Sequence, residues 1–142
     1  MSWKDQIINI LNQQPDDRSV YWFIVDNMYD KIDFIKSFLS SHSDTTYISN
    51  GFKPNVRHIM NMDLKYFILN LDKNTKSNKI YRIITHIKDG LLPYSKCQSG
   101  VYMFNSPHLI VFSENLPKIH LLSLDRWRIF NIVNDNLLPY TI

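Results

Sequence analysis

Apolar positions along this chain fall into two alternating rhythms. Trp3, Ile7, Ile8, Ile10 and Leu11 recur at helical spacing, which predicts an amphipathic helix over residues 2–13 with Ser2 as its cap. Pro15, Asp16 and Asp17 break that helix, and VYWFIV at 20–25 follows as a short β-rich run, the pattern of a buried strand. Phe34, Ile35, Phe38 and Leu39 make one helical stripe over 33–42. Tyr47 and Ile48 form a weak strand ended by the turn dipeptide Asn50-Gly51, and a short helix is expected over 57–61.

A second buried strand is expected over 65–71, KYFILNL. Ile80, Ile83, Ile84 and Ile87 then predict a helix stopping at Asp89, with Gly90 suited to the left-handed cap position. Residues 96–104 alternate as a hairpin would, LIVF at 109–112 is a third buried strand, and 128–133 reads as a strand followed by a short tail. Buried strands alternating with helices predict a three-layer α/β domain with a mainly parallel central sheet.

Composition changes this picture only at a few points. At 142 residues the chain is long enough for one domain with its own core. The formal charge of +3 permits a nucleic acid or an acidic partner without demanding either. One cysteine, Cys97, excludes an internal disulfide framework and carries no local motif of a nucleophile. His42, His58, His86, His108 and His120 lack ligand-pair spacing, so no zinc site is expected, and His108 reads as a structural residue at a strand entrance. No apolar run reaches the roughly 18–20 residues of a membrane span, and the first residues lack a signal-peptide pattern, so an intracellular, non-secreted protein is expected. The chain has no alanine and three glycines, the bias of an AT-rich gene such as those of viruses, plasmids or organelles. That shortage has a chemical consequence, because phosphate-binding loops depend on glycine.

Four stretches in order carry a more specific signal: Trp3 with PDDRSVYWF at 15–23, IKDGLL at 87–92 with Lys96 and Ser99 beyond it, NSPHLIVFSENLP at 105–117, and LSLDRW at 122–127. Together they resemble the superfamily 3 helicase domain of Rep proteins from circular single-stranded DNA viruses and related plasmids, an AAA+ branch of the P-loop ATPases. The resemblance runs from Trp3 to about Ile132. It implies a P-loop NTPase (AAA+-like) fold, with residues 1–14 as an N-terminal helix and linker and residues 15–142 as the Rep helicase-like domain. No two histidines flank a single bulky apolar residue, so the nicking endonuclease half of a Rep is not expected in this sequence.

The resemblance also says which working parts have gone. A phosphate loop needs glycines whose N–H groups wrap phosphates, a lysine for the β and γ oxygens, and a hydroxyl for Mg²⁺. Lys31 stands where the lysine belongs, but Asp30 replaces the glycine before it, Ile32 replaces the hydroxyl residue after it, and 26–30 contain no glycine. The metal-holding aspartate at the end of the next strand matches Asn70, with Asp72 two positions on and expected to aim elsewhere. Thr85 stands where a glutamate is expected, and the polar sensor asparagine matches Glu114.

Two features survive by resemblance: Lys96, at the place of a lysine facing DNA in Rep rings, and Arg126, whose counterpart approaches a neighbouring subunit's nucleotide. Without nucleotide, Arg126 is expected to pair with a carboxylate and Trp127 to join the core.

The expectation is therefore a pseudo-ATPase without cofactor: a Rep-helicase-like domain, not an enzyme, serving other protein subunits as a structural or accessory part of a larger assembly. A second reading is a divergent replication helicase ATPase binding ATP and Mg²⁺ through Lys31. A third is an ATP-independent nucleic-acid-binding module using Lys96.

Overall fold

A computed structural model describes residues 2–26, 31–49, 53–72, 77–94 and 99–142. Helix α1 (Trp3–Leu11) starts where the Ser2 hydroxyl accepts a bond from the Asp5 N–H, satisfying one of the free donors of the first turn. Strand β1 (Val20–Ile24), helix α2 (Lys31–Ser41) and strand β2 (Thr45–Ser49) follow. Next come α3 (Val56–Met60), β3 (Tyr66–Asn70), α4 (Lys79–Asp89) and the strand pair β4 (Leu91–Tyr94) and β5 (Gly100–Met103). The described chain continues through β6 (His108–Ser113), two short 3-10 turns, β7 (Trp127–Val133) and β8 (Asn136–Pro139).

The central sheet has the order β2-β3-β6-β1-β7-β8, parallel at every pairing except the antiparallel β7–β8. Alternation along each inner strand divides the core into two. Val20 and Trp22 of β1, Phe67 and Leu69 of β3, and Leu109 and Val111 of β6 pack with Ile59 of α3 and Tyr81, Ile84 and Ile87 of α4. Their neighbours Phe23, Ile68, Ile110 and Phe112 pack on the other face with Trp3, Ile7 and Leu11 of α1 and Phe34, Ile35 and Phe38 of α2. A strand buried on both faces must be apolar at consecutive positions, which is why VYWFI and LIVF read as unbroken runs. The result is three layers: α3 and α4, the sheet, and α1 and α2.

Two sequence expectations need correction. The hairpin does not begin at residue 96; β4 starts directly after Gly90, and 95–98 lie outside the described residues. Gly90 takes φ 70°, and a Cβ there would sit 2.1 Å from the Phe104 carbonyl oxygen, so glycine lets α4 turn straight into β4. The chain also does not end in a tail. Asn134 and Asp135 both take positive φ, a two-residue turn of the kind that matches strand twist, and β8 pairs back on β7. Asn and Asp tolerate that conformation, but Asn-Asp lacks the glycine that usually announces such a turn.

β8 forms one edge of the sheet, and that edge is covered. The Leu137 N–H donates to Gln6 Oε1 at 3.0 Å, and Pro139 has no N–H to offer. Gln6 Nε2 also reaches Asn136 Oδ1 at 3.3 Å, so α1 is tied to the last strand.

Candidate functional site

The carboxyl ends of the parallel strands meet along one edge of the sheet. Ile24 pairs with Ser113 and Asn70 with Phe112, and the ladder runs one residue further through Val25 N–H to Ser113 O and Leu71 N–H to Phe112 O. α2 opens at this edge with Lys31, which lines a hollow with Ser49, Asn70, Leu71 and Asp72. Burial lowers the Lys31 pKa, opposed by the nearby carboxylates of Glu114 and Asp72. The tertiary structure thus brings Lys31 and Asn70 to one hollow, with Glu114, one residue beyond β6, near enough to act on the Lys31 charge.

β3 stops at Asn70, so Asp72 is not on the strand, and the turn beyond β3 brings it to the wall of the hollow. Asn70 donates from Nδ2 to the Tyr47 hydroxyl at 3.1 Å, and its Oδ1 is buried without a hydrogen-bond partner. Thr85, on α4, turns its hydroxyl back to the Tyr81 carbonyl. Beside this hollow, Trp22 donates from Nε1 to the Asn115 carbonyl and fixes the turn that carries Glu114. The sequence marks Tyr47 as part of a weak strand but does not place Tyr47 or Ser49 at the site, because only the position of β2 beside β3 puts them there.

Arg126 lies at the opposite, amino edge. It precedes β7, whose first residue pairs with the first residue of β1, so the length of β1 separates it from Lys31. Its guanidinium meets Asp89 at 2.7 Å and is buried, with Nη1 left without a partner. Trp127 is buried and donates from Nε1 to the Ile119 carbonyl. Lys96, Cys97 and the loop 27–30, with Asp30, lie outside the described residues.

The amino edge holds a charge cluster that the sequence reading missed. Lys88 is 1% exposed, donates to the Pro107 carbonyl at 2.8 Å and stands 3.8 Å from Asp16. Burial pulls its pKa down to about 8 despite the attraction of Asp16. For Asp16, burial raises the pKa, but bonds from the Ser19 hydroxyl and the Ser19 and Arg18 N–H groups, with the charge of Lys88, outweigh it and hold the carboxyl at about 2. His108 approaches the Gln13 carbonyl at 2.6 Å through Nε2, and burial lowers its pKa. Ser106 bridges the carbonyls of Asp16 and Lys88, and Arg18 pairs with Asp125 through two 3.0 Å contacts. Helical period could have placed Lys88 on the buried side of α4, next to Ile84 and Ile87.

Among the described residues no group of three or more His, Cys, Asp or Glu could hold a metal ion, and no helix is long and apolar enough to cross a membrane. No protein-family profile matches the chain, and no solved structure does. Curated relatives do. Para-Rep C10 of Milk vetch dwarf C10 alphasatellite is 23% identical over 131 residues, 89% of this chain and 46% of that protein. Para-Rep C7 of Faba bean necrotic yellows C7 alphasatellite is 23% identical over 91% of this chain and 47% of its own length. Para-Rep C9 of Faba bean necrotic yellows C9 alphasatellite is 24% identical over 90% and 46%. The chain spans a little under half the length of these relatives. It is a distant relative of alphasatellite Para-Rep proteins, with a mixed α/β fold built on a mostly parallel sheet.

Proposed function

We propose that this chain is a non-catalytic Rep-helicase-like domain, a pseudo-ATPase that serves as a structural or accessory subunit in a virus-associated assembly. The P-loop part of the reading rests on placement. A central parallel strand is followed by a helix opening with a lysine, at the carboxyl edge where open α/β sheets bind ligands. The relationship to Para-Rep proteins supports the Rep-like part.

One observation supports the loss of catalysis: Lys31 shares its hollow with Asp72, and the carboxylates of Asp72 and Glu114 lie near enough to act on its charge. A polyphosphate entering there would meet two like charges in place of hydrogen-bond donors, while Asn70 offers no charge to a metal ion. Without nucleotide to bind, the Arg126–Asp89 pair acts as a structural tie.

A second reading has a specific support. Asp72 lies close enough to Lys31 to act on its charge, so a divergent ATPase would use Asp72 for Mg²⁺ and Lys31 for phosphate. Calorimetry of Mg-ATP binding to the wild type and to Lys31→Ala separates the two. The proposal expects no binding heat from either protein. Saturable heat that the substitution abolishes would replace it with the ATPase reading.

A further inference from the structure

Charge is shared unequally between the two helical layers. Five ion pairs occupy Lys4, Arg18, Lys65, Lys88 and Arg126. Lys31 answers Glu114 and Asp72, Lys118 bonds to Asn78, and Arg128 bonds to the Asp125 and Trp127 carbonyls. Among the described residues this leaves the side chains of Lys36, Lys53, Arg57, Lys79 and Arg82 without a hydrogen bond or ion pair. All five are exposed, and all except Lys36 belong to the layer of α3 and α4 or the segment leading into it.

Their arrangement follows from helix geometry. Tyr81, Ile84, Ile87 and Lys88 are the buried side of α4. Lys79, Arg82 and His86, at i, i+3 and i+7, project from the opposite side as a stripe about 10 Å long. α3 buries Ile59 against the same sheet face and leaves Arg57 exposed, with Lys53 four residues earlier. Nearby acids only partly balance this, because Asp44 is paired with Lys65 and Asp89 with Arg126, leaving Asp63 and, beside the first turn of α4, Asp72 as the opposing exposed carboxylates. On the other layer Lys4 is matched by Asp33.

We infer that the outer face of α3 and α4, with Lys53, Arg57, Lys79 and Arg82, binds the phosphate backbone of a nucleic acid without reading its bases. The α4 stripe carries no exposed large apolar side chain and α3 exposes one, Met60, whereas a protein interface is built around a cluster of apolar and aromatic anchors. Cations without a fixed partner can each displace a condensed counterion from a phosphate, which is how polar, positively charged nucleic-acid interfaces gain affinity. The inference rests on charge pairing within this chain and is independent of the state of the Lys31 site.

The test is anisotropy of a fluorescein-labelled oligothymidine with the whole chain over a salt series. Four phosphate contacts give a log–log salt slope on the order of −3, or roughly 50-fold weaker binding between about 50 and 200 mM salt. Replacing Lys53, Arg57, Lys79 and Arg82 together by Gln should remove most of that slope, while Lys36→Gln on the opposite layer should leave it unchanged. Arg57→Lys with Arg82→Lys retains the charges and should retain the slope, which separates charge loss from damage to the fold. Absence of binding at low salt, or a quadruple Gln variant that binds like wild type, overturns the inference. Competition by polyglutamate as effective as unlabelled oligothymidine at equal charge would also overturn it, in favour of an acidic protein partner.

Discussion

The two edges of the central sheet use charge in opposite ways. At the amino edge, Lys88 and Arg126 are buried, each has a carboxylate partner, Arg18 and Ser19 hold Asp16 in place, and Ser106 ties the segment after α1 to the end of α4. At the carboxyl edge, Lys31 is half-buried in a hollow and feels Glu114 and Asp72 through space. A charge taken out of water must be bonded in place or it destabilises the fold. The amino edge meets that condition and is architectural. The carboxyl edge has the looser arrangement of a site whose charges have little to do with holding the fold together.

Breaking the tighter edge should give the largest effect. Asp16→Ala removes the counter-charge of Lys88 and the acceptor for Arg18 and Ser19, and it should cost about 3 kcal/mol in urea unfolding, at the low end for broken buried pairs because Asp16 is half-exposed. If Asp72→Ala at the other edge costs as much, the contrast fails.

pH sharpens the same point. The folded pKa of Lys88, about 8, lies below its ordinary 10.5, so between these values the unfolded chain binds more protons than the folded one. Stability from this group therefore rises with pH through that window, by about 2 kcal/mol from pH 8 to 10. The difference between wild type and Lys88→Met in thermal melts should show that rise. Asp16 works in the opposite range: its depressed pKa contributes stability above about 3.8 that is lost as pH falls towards 2.

Arg126→Met should cost about 1–2 kcal/mol in the same denaturation series, since it leaves Asp89 unpaired while removing a buried guanidinium nitrogen that had no partner. Gln6→Ala should cost about 1 kcal/mol and uncover the Leu137 N–H on the β8 edge. Sedimentation would then detect concentration-dependent self-association absent from wild type. The smallest change is expected for Lys31→Ala, within about 0.5 kcal/mol of wild type.

Much of the fold was legible because its strongest signals are local. The unbroken runs of β1, β3 and β6 report burial on both faces, and Gly90 marks the end of α4. β8 was not legible, because its turn uses Asn134 and Asp135, and its stability comes from β7 and from Gln6, 131 positions away from Leu137. At the candidate site, Lys31, Asn70 and Glu114 could be picked out one by one from resemblance. Nothing local announced that Asp72 would join them, since a strand pattern cannot say where the chain turns after its last paired residue.

By itself the sequence determined the alternation of helices and buried strands and the lack of glycine beside Lys31, since periodicity and residue type act over a few residues. Only the tertiary structure decided which charges are paired. Lys88 with Asp16 and Arg126 with Asp89 are partnerships across strands and layers, and Lys31 is within reach of the charges of Glu114 and Asp72. Electrostatic energy depends on distance and burial, which spacing along the chain does not encode.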